Sequence, residues 1–264
     1  MTLLAALVLL ASASDNFDTL EPEWRAGLRG LPQMELATID GDSCLALRAT
    51  TVEPTPGVDD LVRTFPRPVL ASERPFAQAH IWLPPFEQWP TTNQNYAGFR
   101  LTITREQGGF VWPGIWLARV DGTPSFGVRI LGDHLGKAIA TPGWWTLGIQ
   151  GDASGRLVFY AGAGRSSLTE ADRFFTDPDP WTTVASFDGF FLQTATTMPF
   201  YVGDVQLYAD VPPLTISRAG GAVTLTPGYP GMVLERSTNL STWFPLDGMT
   251  DAMVAPAQFY RLHP

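Results

Sequence analysis

The chain has almost no cysteine, few histidines and little charge. Cys44 is the only cysteine in 264 residues, which excludes an internal disulfide framework and a cysteine-rich zinc site. It lies between Ser43 and Leu45 in an apolar, strand-like run and reads as a small buried hydrophobe. His80, His134 and His263 are too scattered for a zinc motif, and His134 in Gly132-Asp133-His134-Leu135-Gly136 reads as a turn residue. Charged residues make up only 16% of the chain, 17 Lys+Arg against 26 Asp+Glu, for a net charge of -9. That balance repels phosphate backbones and anionic headgroups. No basic run contradicts it, and the aromatic residues are not interleaved with Lys or Arg as a single-strand groove requires, so nucleic acid is not an expected partner. Beyond the N-terminus no segment approaches the ~18 apolar residues of a membrane span, so none is expected in the mature chain.

What is plentiful is apolar and turn-forming. Hydrophobic residues are 45% and aromatics 12% of the chain, which excludes disorder as its main state. Gly 25 and Pro 23 call for frequent turns and few long helices. From about Asp15 to Asp210 the chain reads as short strands: Met34 to Ile39, Cys44 to Ala49, Ala77 to Leu83, Gly98 to Thr104, Gly114 to Val120, Ser125 to Leu131, Trp144 to Gln150, Leu157 to Ala161 and Phe200 to Tyr208. Asp40-Gly41-Asp42 and Gly151-Asp152-Ala153-Ser154-Gly155 fit hairpin turns, because Gly and Asp tolerate positive φ. The one helical piece expected is Ser167 to Phe174. Strands at this spacing without helices imply two packed antiparallel sheets, an all-β sandwich or jelly roll spanning 14–210. Asp210-Val211-Pro212-Pro213 reads as a linker, and 211–264 as a small second β module of about five strands, near the lower size limit for independent folding.

Leu3 to Ala11 is an unbroken apolar run, followed by the small-x-small Ala11-Ser12-Ala13 and the polar Ser14-Asp15-Asn16. Residues 1–13 resemble a secretory signal, although the run is short and carries no Lys or Arg before it. The expectation is a secreted or cell-surface protein; a buried N-terminal strand is the alternative.

Two stretches carry a family resemblance. Asp15-Asn16-Phe17-Asp18, Trp24 and Asp40 to Leu47, then Trp145 to Ile149, Gly155 to Gly162 and Phe200 to Tyr208, resemble the first and last strands of concanavalin A-like lectin/glucanase domains. The tail, in Gly221 to Leu225, Leu234 to Trp243 and Phe259 to Leu262, is similar to a short β module appended to many secreted bacterial multidomain proteins, which is not known as a catalyst. Val111 to Leu117 resembles the strand before the catalytic segment of laminarinase-like glucanases, but the chain then departs from that pattern. Those enzymes carry Glu-x-Asp-x-(x)-Glu, two carboxylates about 5 to 5.5 Å apart. Here Asp121 stands alone in a turn-like Asp121-Gly122-Thr123-Pro124, and no other strand offers an alternating acidic pair. Gly41-Asp42-Ser43 is reminiscent of the nucleophile block of GDSL esterases, yet a strand follows it, and no histidine has an Asp three residues earlier. A hairpin turn is the better reading.

The resemblance also implies a structural calcium held where first and last strands adjoin, for which Asp15, Asp18 and Asp204 are the candidates; ordinary strand-end aspartates are the alternative. Sugar recognition needs a flat ring against the CH face of a pyranose and amide or carboxyl groups for its hydroxyls. The loops Pro84 to Tyr96 and Gln107 to Pro113 supply both, and Trp89, Asn93, Asn95, Tyr96 and Trp112 form the expected contact surface. Against this, most of the nine Trp are expected to plug the core, Trp82, Trp116 and Trp145 above all, with Trp144 and Trp181 also assigned to packing. The leading reading is an exported, non-catalytic protein that binds a glycan or another extracellular ligand. One alternative is a glycoside hydrolase or lyase using distant carboxylates such as Glu87, Glu106 or Asp133. The other is a structural or adhesive surface protein, which burial of Trp89 and Trp112 would favour.

Overall fold

Alternation of apolar and polar residues on short segments, cut by Asp-Gly pairs, dictates a meander of antiparallel strands. The computed structural model describes residues 13–27, 29–50, 59–90, 95–134, 136–152, 154–166 and 168–209, and beyond them six strands of the tail by backbone. The apolar run before Ala13, the linker at 210–214 and Leu28 lie outside the described residues. The chain divides into two compact units between Asp210 and Val211.

The large unit contains β1 (Ala13–Asp15), β2 (Arg25–Ala26), β3 (Gln33–Ile39), β4 (Asp42–Arg48), β5 (Asp59–Leu70), β6 (Phe76–Leu83), β7 (Asn95–Arg105) and β8 (Phe110–Val111). It continues with β9 (Gly114–Val120), β10 (Thr123–Arg129), β11 (Asp133–His134), β12 (Gly143–Gly151), β13 (Leu157–Ala163), β14 (Arg173–Thr176), β15 (Val184–Thr194) and β16 (Phe200–Tyr208). A first sheet runs β14-β13-β12-β6-β16-β4-β3 with β1 also on β16; a second runs β11-β10-β9-β7-β15-β5-β2 with β8 also on β7. Every pairing is antiparallel, so the fold is an all-β sandwich, as its composition requires. Ala77, Ala79, Ile81 and Leu83 of β6 and Phe99, Leu101 and Ile103 of β7 are among its fully buried residues. Trp145 of the first sheet meets Phe126 of the second edge to face at 5.1 Å, tying the two layers together.

Two Asp-Gly pairs make the tightest turns. Asp40 and Gly41 (φ 54° and 91°) join β3 to β4, and Asp121 and Gly122 (φ 47° and 81°) join β9 to β10. Asp121 is thus a turn former. The helix expected over Ser167 to Phe174 is absent: Glu170–Asp172 forms a single 3-10 turn and β14 follows at once. Thr169 explains the short span, since its N–H and Oγ1 both donate to the Asp172 carboxylate, at 2.8 and 2.9 Å, and close the turn on itself.

Strands β5 and β15 were hidden in the sequence by Phe65-Pro66-Arg67-Pro68 and Asp188-Gly189. Between Thr64↔Gly189 and Val69↔Phe187 the register breaks, so both prolines sit in a bulge where no ladder N–H is needed. Gly189 is required there, because a Cβ would lie 2.6 Å from the Arg63 carbonyl oxygen.

The bulge is pinned by Glu73, which is buried and accepts from Arg67 at 2.8 and 2.9 Å and from the Leu70 N–H at 2.7 Å. Burial alone would raise its pKa, but the Arg67 and Leu70 hydrogen bonds outweigh that and hold it below the ordinary glutamate value. Cys44 is fully buried and burial pushes its pKa up to about 11.

The tail forms two three-stranded sheets of its own. One joins β17 (Thr215–Ala219), β18 (Ala222–Thr226) and β21 (Thr250–Ala252); the other joins β19 (Val233–Ser237), β20 (Phe244–Pro245) and β22 (Phe259–His263). β21 is the short strand that the sequence did not announce.

A depressed carboxyl pKa adds stability that is present above the unfolded-state value and is lost as pH falls through the folded-state value. Glu73→Gln should therefore lower stability at neutral pH by about 1–2 kcal/mol and leave it less dependent on pH below about 5. Urea titrations at pH 7 and pH 3.5 check this; an equal loss at both would contradict it. The Cys44 thiol should be inert to an aromatic disulfide reagent at pH 8 until the chain is unfolded.

Candidate functional site

Strand β6 reads Phe76-Ala77-Gln78-Ala79-His80-Ile81-Trp82-Leu83. A period of two sends Ala77, Ala79, Ile81 and Leu83 into the core and Phe76, Gln78, His80 and Trp82, all half-buried, to the outer face of the first sheet. Register then builds rows across that face. Trp82 lies opposite Trp144 and Tyr201, His80 opposite Thr146 and Asp204, Gln78 opposite Gly148 and Gln206, and Phe76 opposite Gln150 and Tyr208. Tyr201 and Asp204 are three residues apart and share the face only because a bulge between Val202 and Asp204 shifts the register. Gly203 permits it, since a Cβ there would stand 2.8 Å from the Trp144 ring.

The aromatic row is held by contact, with the Trp82 and Tyr201 rings edge to face at 5.4 Å. Trp144 is capped by the Arg165 guanidinium 4.8 Å from its ring, and its buried indole N–H has no partner among the described residues. The charged row is a network. His80 Nδ1 is hydrogen-bonded to Asp204 Oδ1, which also takes Arg165 at 3.2 Å, while Gln206 Nε2 donates to Asp204 Oδ2 at 3.1 Å. Arg165 reaches Asp42 Oδ2 at 2.5 Å with its other terminal nitrogen. Gln78 Nε2 and the Tyr208 hydroxyl both donate to Gln206 Oε1, the former at 2.8 Å. Burial, and secondarily Asp204, raises the Tyr208 pKa and keeps its hydroxyl a donor.

No activated nucleophile adjoins this network among the described residues. Ser43 Oγ donates to Asp18 at 2.6 Å, Thr146 Oγ1 to the Gly164 carbonyl at 2.8 Å, and Cys44 is sealed. The face offers rings, amides, one imidazole and one guanidinium in fixed positions, which suits reversible binding to a polar ligand with apolar faces.

The structure buries two of the five residues of the loop surface expected from the sequence. Trp89 is 2% exposed, donates its indole N–H to the Pro84 carbonyl and packs on Phe86 and Tyr96 at 5.2 and 4.9 Å. Tyr96 is fully buried, its hydroxyl has no partner among the described residues, and burial drives its pKa far up. The Pro84-Pro85 corner and the 3-10 turn Phe86–Gln88 fold the indole inward, so this pair plugs the sandwich. Asn95 opens β7, but its side chain, like all of Asn93, lies outside the described residues. Trp112 is half-buried between β8 and β9, and its carbonyl accepts from Arg100. Of the tryptophans assigned to packing, Trp116 and Trp145 are buried, Trp82 and Trp144 lie half-buried on the outer face, and Trp181 is 68% exposed.

Nor are the three candidate calcium ligands assembled. Asp15 pairs with Val205, one residue from Asp204, so alternation turns their carboxylates to opposite sides of the sheet. Asp15 accepts from Trp24 Nε1 at 2.6 Å, from the Phe17 N–H at 2.8 Å and from Arg63 at 3.3 Å. Asp18 is exposed and takes Ser43 and Asn16. Among the described residues no group of three or more His, Cys, Asp or Glu is placed to hold a metal ion.

The distant carboxylates stay distant as well. Phe86 is bound by Arg119, beyond the start of β7, which places Glu87 near that end, whereas Glu106 follows its last residue. Eleven residues of strand span about 33 Å, far more than the ~9.5 Å limit for a glycosidase pair. Asp133 is level with mid-β7 and ion-paired to Arg129 at 3.1 Å.

No protein-family model matches the chain, and no curated protein sequence matches it. Among solved structures it is similar to a protein of unknown function from Shewanella oneidensis MR-1, with a TM-score of 0.50 and 11% identity over 78% of this chain and 88% of that one. It is also similar to the potassium-bound carbohydrate recognition domain of Emp46p (TM-score 0.45, 10% identity, 74% of this chain and 94% of that one). A third is the exoplasmic/lumenal domain of VIP36 in its Ca2+/Man3GlcNAc-bound form (TM-score 0.43, 12% identity, 79% and 91%). At these identities the likeness concerns the fold alone, an antiparallel β-sandwich.

Asp204 is the hub of the charged row. Asp204→Ala should destabilise the domain by about 2–4 kcal/mol, because His80, Arg165 and Gln206 all lose an acceptor. Gln78→Ala removes one peripheral bond and should cost about 1 kcal/mol or less. Denaturant unfolding of both variants checks the ranking, and equal costs would contradict the network.

Proposed function

We propose that the large unit is an extracellular, non-catalytic carbohydrate-binding domain whose contact surface is the outer face of its first sheet. One observation carries this reading: Trp82, Tyr201 and Trp144 form a half-exposed aromatic row beside the His80, Asp204 and Arg165 row and the Gln78 and Gln206 pair. A pyranose needs a ring for its CH face and planar donors and acceptors for its hydroxyls, and neighbouring rows of a twisted sheet hold both within one or two sugar lengths. The rows sit on strands, so the groups are already ordered and little entropy is lost on binding. The wide separation of Glu87, Glu106 and Asp133 supports a binder over a hydrolase built on them. The apolar run Leu3 to Ala11 supports export, to where free glycans are met.

The test is affinity electrophoresis and pull-down with mannan, β-glucan and chitin. Wild type should be retained by at least one polymer, and Trp82→Ala or Tyr201→Ala should weaken retention about tenfold or more, equivalent to ~1.4 kcal/mol, with melting temperature nearly unchanged. Retention by none of them would end the reading. Release of reducing or unsaturated ends during incubation would make the protein an enzyme instead.

A further inference from the structure

At one end of the second sheet two large rings stand in solvent: Trp181 is 68% exposed and Phe110 61%. Neither is on a loose segment. Trp181 belongs to a single turn, Pro180–Thr182, capped by Asp179, whose carboxylate accepts the Trp181 N–H at 2.8 Å. The Thr182 hydroxyl shares its one hydrogen between the Asp177 carboxylate and the Asp179 carbonyl, and Thr183 Oγ1 donates to the Pro180 carbonyl at 2.7 Å. These bonds and a proline thus fix a turn whose one large side chain points away from the core. The usual fate of an indole is burial, and a turn this rigid holds the ring out.

The turn is bonded to the hairpin that carries Phe110. The Glu106 N–H donates to the Thr183 carbonyl at 2.9 Å, and Gln107 Nε2 lies 3.5 Å from the Pro180 carbonyl. Gly108 and Gly109 (φ 85° and 79°) close that hairpin, and Arg105 beside them has a buried Nε without a partner. A third loop joins through the Val184 N–H, which donates to the Gly155 carbonyl next to the Asp152 turn. Two rings and the Gln107 amide therefore share one rigid end with Glu106, Asp152 and Asp179 against Arg105 and Arg156, while Asp177 and Thr182 are buried beneath it.

We propose that this end is a second carbohydrate-contact site, which takes a sugar of a neutral polysaccharide against Trp181, apart from the outer face of the first sheet. The class of ligand rests on the carbohydrate reading above; the location does not. Charge selects a neutral polymer, because the carboxylates of Glu106, Asp152 and Asp179 outnumber the Arg105 and Arg156 guanidinium groups and oppose uronate or sulfate chains. Size argues against a protein partner, which needs about 800 Å² of surface with a continuous apolar centre; here a polar hairpin separates two single rings. A single stacked sugar is a weak contact, and its value lies in the pairing. Two sites on one rigid domain bind a long polymer more tightly than either alone through raised effective concentration.

The experiment compares wild type, Trp181→Ala, Trp82→Ala and the double variant on soluble mannan and β-glucan, with short oligosaccharides of the same sugars and polygalacturonate alongside. Trp181 is mostly exposed, so its replacement should leave the melting temperature unchanged. On the polymer that retains wild type, Trp181→Ala should weaken retention about tenfold and the double variant should abolish it. On the short oligosaccharide the Trp181→Ala loss should be about threefold or less, since bivalency is then absent. Trp181→Phe should recover part of the polymer binding. Full retention by Trp181→Ala while Trp82→Ala loses it would overturn the second site and leave the first-sheet face standing. Loss with Trp181→Ala alone would support this site and overturn that face. Preference for polygalacturonate, or equal losses on long and short ligands, would overturn the neutral, bivalent site.

Discussion

The parity of strand β6 is the constraint on which the rest depends. Its even-numbered residues Phe76, Gln78, His80 and Trp82 face out, and its odd-numbered residues Ala77, Ala79, Ile81 and Leu83 face in. A slip of one residue against β12 or β16 would put an imidazole and an indole into the core and four aliphatic groups into solvent. The same register that closes the sandwich therefore assembles the candidate binding face. β6 lies between β12 and β16, so errors would propagate to both neighbours. Where β16 must bring Tyr201 and Asp204 to one side, the bulge at Gly203 corrects parity locally and leaves Val202 and Val205 buried.

Low charge content makes each buried charge consequential. Arg100, only 8% exposed, lies on the outer face of the second sheet between the Trp116 and Phe191 rings, each 5.1 Å away. It donates to the Trp112 carbonyl and to Gln193 Oε1, and Gln193 passes the link to Asp60 at 2.9 Å. Burial, then Arg129, lowers the Arg100 pKa, and burial raises that of Asp60 despite the nearby Arg29 and Arg100. Both shifts disfavour the charged forms, so the pair holds β5, β15 and β7 in alignment at some cost in stability. The first sheet solves the same problem closer to water, where Arg165 spans the buried Asp204 and the half-exposed Asp42.

Much of the fold was legible because its signals are local. The Asp-Gly pairs at Asp40 and Asp121 require positive φ, and β6 shows its two faces in eight consecutive residues. What was hidden depends on pairing across the chain. The prolines at Pro66 and Pro68 argue against a strand until β15 is seen to leave them opposite a bulge. Asp15 and Asp204 look like partners because their strands adjoin, and only the register shows that they face opposite ways. Trp89 and Trp181 both follow Pro-rich, polar stretches, yet one indole is buried and the other open. The difference lies in what each turn packs on: Phe86 and Tyr96 close over Trp89, whereas the Pro180 turn is tied down by backbone and hydroxyl bonds that cover no ring.

That contrast bears on where a sandwich can hold a ligand. A loop tryptophan that finds aromatic neighbours is drawn into the core by about 25 cal/mol for each Å² of apolar surface removed from water, and its loop then serves stability. A ring stays available only when the core is already full or the backbone forbids the turn inward. On β6 the core is filled by the alternate aliphatic residues, so Trp82 has no inward vacancy and remains on the face. At Trp181 the turn's own hydrogen bonds forbid the inward turn. The unpartnered indole N–H of Trp144, held beneath Arg165, adds a donor that water does not reach. Such a donor costs stability as long as it is unmet. The half-exposed row is thus less a surplus of hydrophobic residues than a place on the first sheet where burial was left incomplete.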